Sequence, residues 1–216
     1  ERKTRINEAF SVGGKFKMQG FENTMDTVEV LLGGIPVNYY MAVDMTVVKE
    51  IIDITGGLYY DVDIHVKICG REVQKGYQKL TGQQALDYAR VRKGYGTDIA
   101  RMDRQQRIVM AVVEQLKERG KILKIPEYYD AISEKSYTNL STEQLAALAL
   151  FANKLDLEES MDRHTVPTVG LPLIDKKSML GIKQKEFAAL VKEIYGVDIP
   201  IDYEMDGETI RANKTR

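Results

Sequence analysis

The sequence has few of the residues that build covalent or metal-bound structure. It contains one cysteine, Cys69, and two histidines, His65 and His164, among 216 residues. A single cysteine excludes a disulfide within the chain, and we expect Cys69 to be a small strand residue. The two histidines lack a metal-ligand spacing. No Gly-x-Ser-x-Gly motif, Walker-type glycine loop or His-Glu-x-x-His motif occurs, so these signatures of hydrolases, nucleotide-binding proteins and metalloproteases are missing.

The sequence also lacks an excess of charge and a long apolar run. The formal net charge is -1, which argues against a broad attraction to nucleic acid or to a membrane surface. An anion site must therefore be a local concentration of positive charge. No apolar run is long enough to cross a bilayer, and there is no signal peptide. The chain opens with Glu-Arg-Lys-Thr-Arg and no Met, which we interpret as the start of an excised piece.

Strand and helix patterns alternate along the chain. The clearest strand pattern covers residues 60–68, where apolar and polar residues alternate. Residues 81–84 and 141–144 are both of the capping-box type that opens a helix. Apolar spacing predicts a long helix from about 98 to about 119 and another over 183–195.

This alternation predicts an α/β (α+β) fold in which a central mixed β-sheet is flanked by helices. We see no repeat and no Pro/Ser-rich linker. The prediction is a single domain over residues 1–200, followed by a polar tail over residues 201–216 that frays.

Charge is concentrated in residues 89–107, ARVRKGYGTDIARMDRQQR, which include five arginines. On a helical wheel the apolar residues of the long helix share one face, which we predict to be the core side. These residues are Ile108, Val109, Val112, Val113 and Leu116. The same stripe, traced toward the N-terminus, is occupied by Asp98, Arg101 and Gln105.

A charged side chain on a buried face is costly unless it is paired or faces a polar cavity. Asp98 and Arg101 can pair with each other, so a purely structural ion network is one interpretation. Arg90 and Arg92 are two residues apart, which places both side chains on one side of an extended segment. The glycine-containing loop 93–96 then returns the chain to the long helix. The other interpretation is that Arg90, Arg92 and Arg101 converge with a helix N-terminus on a phosphate or pyrophosphate.

Four other charged residues are predicted to be solvated. Arg104 and Arg107 point away from the stripe on the helical wheel, so we expect surface charges there. Asp61 and Asp63 lie on the polar face of the strand pattern, where solvation is again expected.

Four segments in order resemble the LytR-CpsA-Psr (LCP) family. Residues 5–14 are similar to the family's Lys-Ile-Asn-x-Ala-Tyr-x-x-Gly-Gly segment, and residues 27–40 to its next helix and strand. Residues 80–92 and 98–106 resemble its most specific stretch. The resemblance is strong from residue 5 to about 115 and looser beyond, and it implies an LCP-like fold.

The resemblance implies a cell-wall glycopolymer phosphotransferase. Such an enzyme transfers a glycopolymer of the teichoic acid or capsule type from a polyprenyl-pyrophosphate carrier to peptidoglycan, with the help of Mg2+. It also implies a single-pass anchor in the cell membrane of a mainly Gram-positive bacterium, with this domain extracytoplasmic. The partners implied are the carrier-linked glycopolymer, peptidoglycan and, through the anchor, the membrane.

The resemblance assigns roles to five residues. Arg90, Arg92, Arg101 and Gln105 align with positions that contact the pyrophosphate, and Asp98 aligns with an acidic partner there. The catalytic residues predicted in this way are Arg92, Asp98 and Arg101.

The chain departs from the family before Arg5. The family has an Asp-Arg-x-Asp-Thr-like run and a Pro-Arg-Asp-Thr run there, which supply metal-binding aspartates and further arginines, and neither run occurs here. We therefore expect an N-terminally truncated domain that lacks N-terminal strands, with Mg2+ ligands outside these residues. We also expect this piece to be catalytically poor or inactive.

Two alternatives stay open on the sequence. One is a nucleic-acid-binding transcriptional regulator or attenuator, based on the basic cluster; the core-facing position of its arginines argues against an exposed recognition helix. The other is a non-catalytic binder of polyprenyl phosphate or wall polymer.

Overall fold

The computed structural model describes residues 5–91, 98–156, 162, 164–174 and 177–214. Two compact units are present, one of Glu1–Asn38 with Asp162–Arg216 and one of Tyr39–Met161. The helices of the described part are α1 (Glu8–Val12), α2 (Met18–Leu31), α3 (Met45–Ile54), α4 (Gly82–Arg90), α5 (Asp98–Glu118), α6 (Ile125–Ile132), α7 (Thr142–Lys154), α8 (Gln184–Tyr195) and α9 (Gly207–Lys214). Short 3-10 turns occur at Ile122–Lys124 and Ser133–Lys135.

The strands are β1 (Met41–Val43), β2 (Leu58–Val62), β3 (Val66–Ile68), β4 (Arg71–Val73), β5 (Gly76–Leu80), β6 (Ser136–Thr138), β7 (Thr168–Ile174) and β8 (Lys177–Ile182). They pair two by two as β1–β6, β2–β5, β3–β4 and β7–β8, and each pair is antiparallel. The α/β fold class is confirmed. The described strands form these four separate two-stranded ladders and not the single central mixed sheet that the sequence predicts.

Local side chains cap three helix starts in the unit Tyr39–Met161, two of them at the predicted capping boxes. Asp44 accepts from the main-chain N–H of Thr46 at the start of α3. Thr81 and Gln84 form a capping box at α4, and Ser141 and Gln144 form one at α7. Each cap satisfies main-chain donors that a helix start leaves without partners. The long helix over 98–119 is confirmed as α5, which has 21 residues.

The core of this unit is formed between α4, α5 and the two ladders β2–β5 and β3–β4. Its largest fully buried side chain is that of Tyr88 on α4. The other buried members are Ile52, Leu58, Val62, Val66, Val73, Leu80, Ala85, Ala89, Val91 and Ile108. The alternation over residues 60–68 persists, since Val62 and Val66 are both buried. The strand itself is interrupted at 63–65, where Asp63 leaves the ladder to accept hydrogen bonds from side chains of α4 and α5.

The unit of Glu1–Asn38 with Asp162–Arg216 has its own small core. Phe187 and Val191 of α8 pack with Ile199 and with apolar residues that follow α2. The prediction of a fraying polar tail over 201–216 is wrong for its larger part. Residues Gly207–Lys214 form α9, which packs on β7 and β8 and is capped by Asp206. The single-domain boundary at residue 200 stays a prediction.

Candidate functional site

A buried arginine holds the end of α4 and the start of α5 together. Arg104, in the second turn of α5, is only 4% exposed. Its Nη2 donates to the main-chain carbonyl of Val91, the residue after α4, over 2.9 Å. Its guanidinium carbon also lies over the ring of Tyr88, 5.9 Å from the centroid. Because a hydrogen bond from a charged group stabilises a fold by about 1.5–3 kcal/mol, these two helix ends are firmly attached to each other.

Tyr88 connects this contact to a second group of charges. Its hydroxyl donates to Asp63 Oδ1 over 2.7 Å, and Arg107 Nη2 donates to Asp63 Oδ2 over 2.6 Å. Arg107 Nε donates to Asp103 over 2.9 Å. Burial raises the pKa of the Tyr88 hydroxyl, and the bond to Asp63 raises it further. Burial also acts to raise the pKa of Asp63, but the bonds from Tyr88 and Arg107 outweigh it and leave that pKa below its ordinary value.

These contacts correct two expectations from the sequence. Arg104 is buried, and Arg107 is partly buried and binds two carboxylates, so neither is a solvated surface charge. Asp63 is exposed, as its place on the polar face predicts, and it also accepts hydrogen bonds from Tyr88 and Arg107. The buried stripe of α5 passes through Arg104 and Ile108, whereas Val109 is 48% exposed. Counting Val109 as a core residue rotates the inferred stripe toward Gln105 and away from Arg104. A wheel centred on Ile108 alone identifies Arg104, which is four residues earlier and thus on the same face.

The last turns of α4 are fixed by a buried carboxylate. Asp87 is 6% exposed and binds Arg71 through two bonds, from Nε over 2.6 Å and from Nη2 over 3.0 Å. Gln83 donates to the same carboxylate over 2.9 Å. Burial acts to raise the pKa of Asp87, but the bonds from Arg71 and Gln83 outweigh it and the net pKa is lowered. Planar two-point pairing restricts the orientation of α4 as well as its position.

Arg90 lies at the last position of α4 and is exposed. Its positive charge contributes to the electrostatics of the carboxylates around this helix end. Thr46 lowers the pKa of Asp44 most, and the charge of Arg90 lowers it further. The charge of Arg90 also adds to the effect of Arg71 on the pKa of Asp87. Arg90 therefore places a solvent-accessible positive charge next to Val91, where α5 begins to contact α4.

The other predicted site residues belong to the start of α5 and the segment before it. Arg101 and Gln105 are half-buried in the first two turns of α5. Arg101 is one helical turn before Arg104, so both lie toward the end of α4. Asp98 is the first residue of α5, but its side chain lies outside the described part, as does the whole of Arg92. Arg90 thus lies at the end of α4 that contacts the start of α5, the part of α5 that carries Arg101 and Gln105. That these residues bind one ligand stays a prediction.

The described part of the chain does not by itself fit a resident metal. It contains no group of three or more His, Cys, Asp or Glu side chains that would hold an ion. Cys69 is exposed, and His65 contacts the carboxylate of Glu72. We therefore assign no Mg2+ ligand among these residues. None of the described helices combines the length and apolar composition that a membrane-spanning helix requires.

The geometry gives the nucleic-acid alternative no support. A recognition helix presents its basic side chains to a groove, where they contact bases and phosphates. In α5, Arg104 is buried and Arg107 binds two carboxylates. The side chains of these two arginines therefore form contacts within the protein instead of facing a nucleic-acid groove.

Known proteins match the chain closely in sequence and fold. Over 159 residues it is 36% identical to the polyisoprenyl-teichoic acid–peptidoglycan teichoic acid transferase TagV of Bacillus subtilis, covering 69% of this chain and 39% of TagV. It is 28% identical over 150 residues to the corresponding transferase TagU of Enterococcus faecalis, covering 69% of this chain and 47% of TagU. The crystal structure of B. subtilis TagV superposes with a TM-score of 0.75 at 28% identity and covers 91% of this chain and 75% of that chain.

The chain thus spans less than half the length of these two relatives. The LytR_cpsA_psr family model matches residues 1–196, which is nearly the whole of the sequence. The chain belongs to the LytR_cpsA_psr family.

Proposed function

We propose that this domain takes part in the transfer of a glycopolymer of the teichoic acid or capsule type from a polyprenyl-pyrophosphate carrier to peptidoglycan. The proposal is supported by the teichoic acid–peptidoglycan transferases among its relatives. The observation that carries it is the Arg104–Val91 contact, which joins the end of α4 that bears Arg90 to the start of α5 that bears Arg101. The protein is then anchored in the cell membrane with this domain outside the cytoplasm.

The proposed reaction is a phosphoryl transfer. A muramic acid hydroxyl oxygen bonds to the sugar-proximal phosphorus, the bond from that phosphorus to the bridging oxygen breaks, and polyprenyl phosphate leaves. The hydroxyl proton is released in the same exchange. Because negative charge on the phosphoryl oxygens must be stabilised, fixed cations and helix-start N–H groups are the chemistry that the step needs.

Residue roles within the proposal follow the family resemblance. Arg90, Arg92, Arg101 and Gln105 bind the pyrophosphate, and Arg92, Asp98 and Arg101 act at the reacting phosphorus. Half-burial of Arg101 strengthens its interaction with an anion, because water screens a partly buried charge less. The Mg2+ that the family resemblance implies would add positive charge to the same phosphates, but its ligands are not assigned to residues of this chain.

Titration of a short-chain polyprenyl pyrophosphate into the protein tests this site. We expect Arg101→Ala to weaken binding by about 1.5–3 kcal/mol, the value of a hydrogen bond to a charged group. Arg101→Lys should recover only part of the affinity, since an ammonium does not bind phosphate through two parallel bonds. The control is Arg211→Ala, an exposed arginine of α9 in the other compact unit.

Equal affinity of the Arg101→Ala variant and the unchanged protein in calorimetry would exclude Arg101 from the site. Turnover is a separate question, because binding of the carrier does not by itself show transfer. An assay on the complete ectodomain separates a transferase from a non-catalytic binder of the same carrier.

A further inference from the structure

The outward face of the β2–β5 ladder carries two stacked, exposed tyrosines. The register pairs Tyr59 with Lys79 and Asp61 with Tyr77, so these four side chains occupy one face as a square. The rings of Tyr59 and Tyr77 stack across the diagonal, with centroids 6.2 Å apart and planes inclined by 22°. Tyr59 is 46% exposed and Tyr77 is 75% exposed. We call these two rings with Lys79 and Arg119 the tyrosine platform.

Two cations are held against the same platform. Lys79 Nζ lies 5.8 Å and the guanidinium carbon of Arg119 lies 5.7 Å from the centroid of the Tyr59 ring. Arg119 is fixed in place, because its Nη1 donates to the carbonyl of Thr55 over 2.8 Å. In the part of the chain that the structure describes, neither cation forms an ion pair with a carboxylate. The same face also carries the exposed carboxylate of Asp61, so the two cations leave a net positive charge for an external partner.

The ladder under the platform is itself anchored. The side chain of Gln115 on α5 accepts from the main-chain N–H of Tyr59 over 2.8 Å and donates to the carbonyl of Gly57 over 2.7 Å. This pairing occupies main-chain groups at the edge of β2 that would otherwise face solvent. The two rings are thus presented on a fixed backbone, and little conformational entropy is lost when a ligand covers them.

The platform has the chemistry of a surface for acidic carbohydrate. A single exposed aromatic side chain needs no explanation, but two stacked rings with two adjacent cations form a combined apolar and positive surface. The C–H face of a pyranose ring packs on an aromatic ring, and carboxylates beside the sugar pair with Lys and Arg. A purely apolar ligand would form no favourable interaction with the two cations, and covering them would cost the free energy of removing their charges from water.

We propose that the tyrosine platform binds the glycan strand of peptidoglycan, with sugar rings on Tyr59 and Tyr77 and stem-peptide carboxylates on Lys79 and Arg119. This inference rests on the proposed function, which makes peptidoglycan the acceptor. The acceptor fits the platform better than a polyol-phosphate donor of the teichoic acid type does, because every unit of a peptidoglycan strand contains pyranose rings and a polyol-phosphate chain does not.

The platform is remote from the reacting phosphate. Arg119 follows the last residue of α5 and Arg101 lies in its first turn, and a helix of 21 residues is about 30 Å long. One small acceptor therefore cannot reach both places, whereas one glycan strand can. The platform holds the polymer while a distant part of the same strand is presented for reaction, so its contribution must depend on the length of the acceptor.

Co-sedimentation of the full chain with purified, teichoic-acid-free peptidoglycan sacculi tests the proposal without any need for turnover. We expect Tyr77→Ala to weaken binding about fivefold, the ratio that corresponds to one aromatic stacking contact. Tyr77 is the safer position for substitution because its ring is mostly exposed. The double variant Lys79→Gln, Arg119→Gln should also weaken binding, and added salt should reduce the difference.

The matched control is Tyr203→Ala. Tyr203 is 59% exposed and lies 5.7 Å from Lys185 Nζ, but it is in the other compact unit and has no stacked aromatic partner in the described part. Equal losses in Tyr77→Ala and Tyr203→Ala, or no binding to sacculi by the unchanged protein, would overturn the platform. If the protein binds oligothymidylate more tightly than sacculi, and Tyr77→Ala loses that binding, the platform is a nucleic-acid surface and the peptidoglycan proposal is overturned. Pyrophosphate titration of Arg101→Ala tests the proposed function independently of all these results.

Discussion

The two ends of α5 use the same side chains in different surroundings. Near its start, Arg104 donates to the carbonyl of Val91 and is buried. At its end, Arg119 donates to the carbonyl of Thr55 and is exposed. Each guanidinium lies over a tyrosine ring, Tyr88 in the first case and Tyr59 in the second. At the start of α5 this combination of arginine, carbonyl and tyrosine ring joins two helices inside the core. At the end of α5 the same combination forms part of an accessible surface.

Carboxylates make the second difference between the two ends. Asp63 and Asp87 accept hydrogen bonds around α4 and the start of α5, and the pKa of each is lowered. At the far end the corresponding acceptors are the amide of Gln115 and main-chain carbonyls. The stability contributed by the start of α5 should therefore depend on pH, and that of its end should not.

The largest effect is expected from Arg104→Met. The variant keeps most of the buried volume but leaves the Val91 carbonyl without its charged donor, and we expect a loss of about 3 kcal/mol in the free energy of unfolding. Urea denaturation monitored by circular dichroism measures it. Because Tyr88 also loses the cation over its ring, part of the loss should appear in its environment, which near-ultraviolet circular dichroism reports.

Arg104→Lys sharpens this result, because it retains the charge and loses the planar donor group. We expect it to be destabilised by less than Arg104→Met. A free energy of unfolding for Arg104→Met equal to that of the unchanged protein would mean that the Arg104–Val91 contact does not hold the two helices together.

Local chemistry explains which elements were predictable from the sequence. The caps at Thr81 and Ser141 depend on residues three positions apart, and both form as expected. The left-handed end of α8 at Gly196 has the same local origin. These signals need no knowledge of the rest of the fold.

The partners of Asp63 and Arg107 are distant in the sequence. Asp63 and Tyr88 are 25 positions apart, and Asp63 and Arg107 are 44 apart. Alternation over residues 60–68 correctly predicts that Asp63 is exposed, but its hydrogen bonds depend on the packing of α4 and α5 beside it. Arg104 was missed for a smaller reason, since one exposed residue, Val109, was counted in the apolar stripe. The convergence of Arg90 and Arg101 on one ligand stays a prediction, supported by the Arg104–Val91 contact between the helices that bear them.

An intermediate effect is expected from Asp87→Asn, and it should depend on pH. The folded-state pKa of Asp87 is lowered, so its contribution is fully present above the unfolded-state pKa of about 3.9 and is lost as the pH falls through the folded value. We expect Asp87→Asn to lose about 1–2 kcal/mol at pH 7, reduced by solvent screening at Arg71. Chemical denaturation at pH 7 and at successively lower pH measures the difference.

The difference between Asp87→Asn and the unchanged protein should shrink as the pH falls below 4, although both proteins become less stable there. Arg71→Gln is the companion variant, since it removes the other partner of the same pair. A difference that stays constant down to the acid transition would show that the ionised carboxylate does not stabilise this helix.

The smallest effect is expected at the far end of α5. Arg119→Ala removes the donor to the carbonyl of Thr55, a residue that is itself buried. Because the Arg119 side chain is exposed, its removal opens a path for water to that carbonyl, and we expect a loss of about 1 kcal/mol or less in the free energy of unfolding. The loss should be the same at pH 7 and near pH 4, since no carboxylate takes part. Gln115→Ala is the matched variant and should behave in the same way, because its amide holds Tyr59 and Gly57 without a titrating group. A loss in Arg119→Ala as large as that in Arg104→Met would erase the distinction between the two ends, because burial of the guanidinium is the only feature that makes the first tether the stronger one.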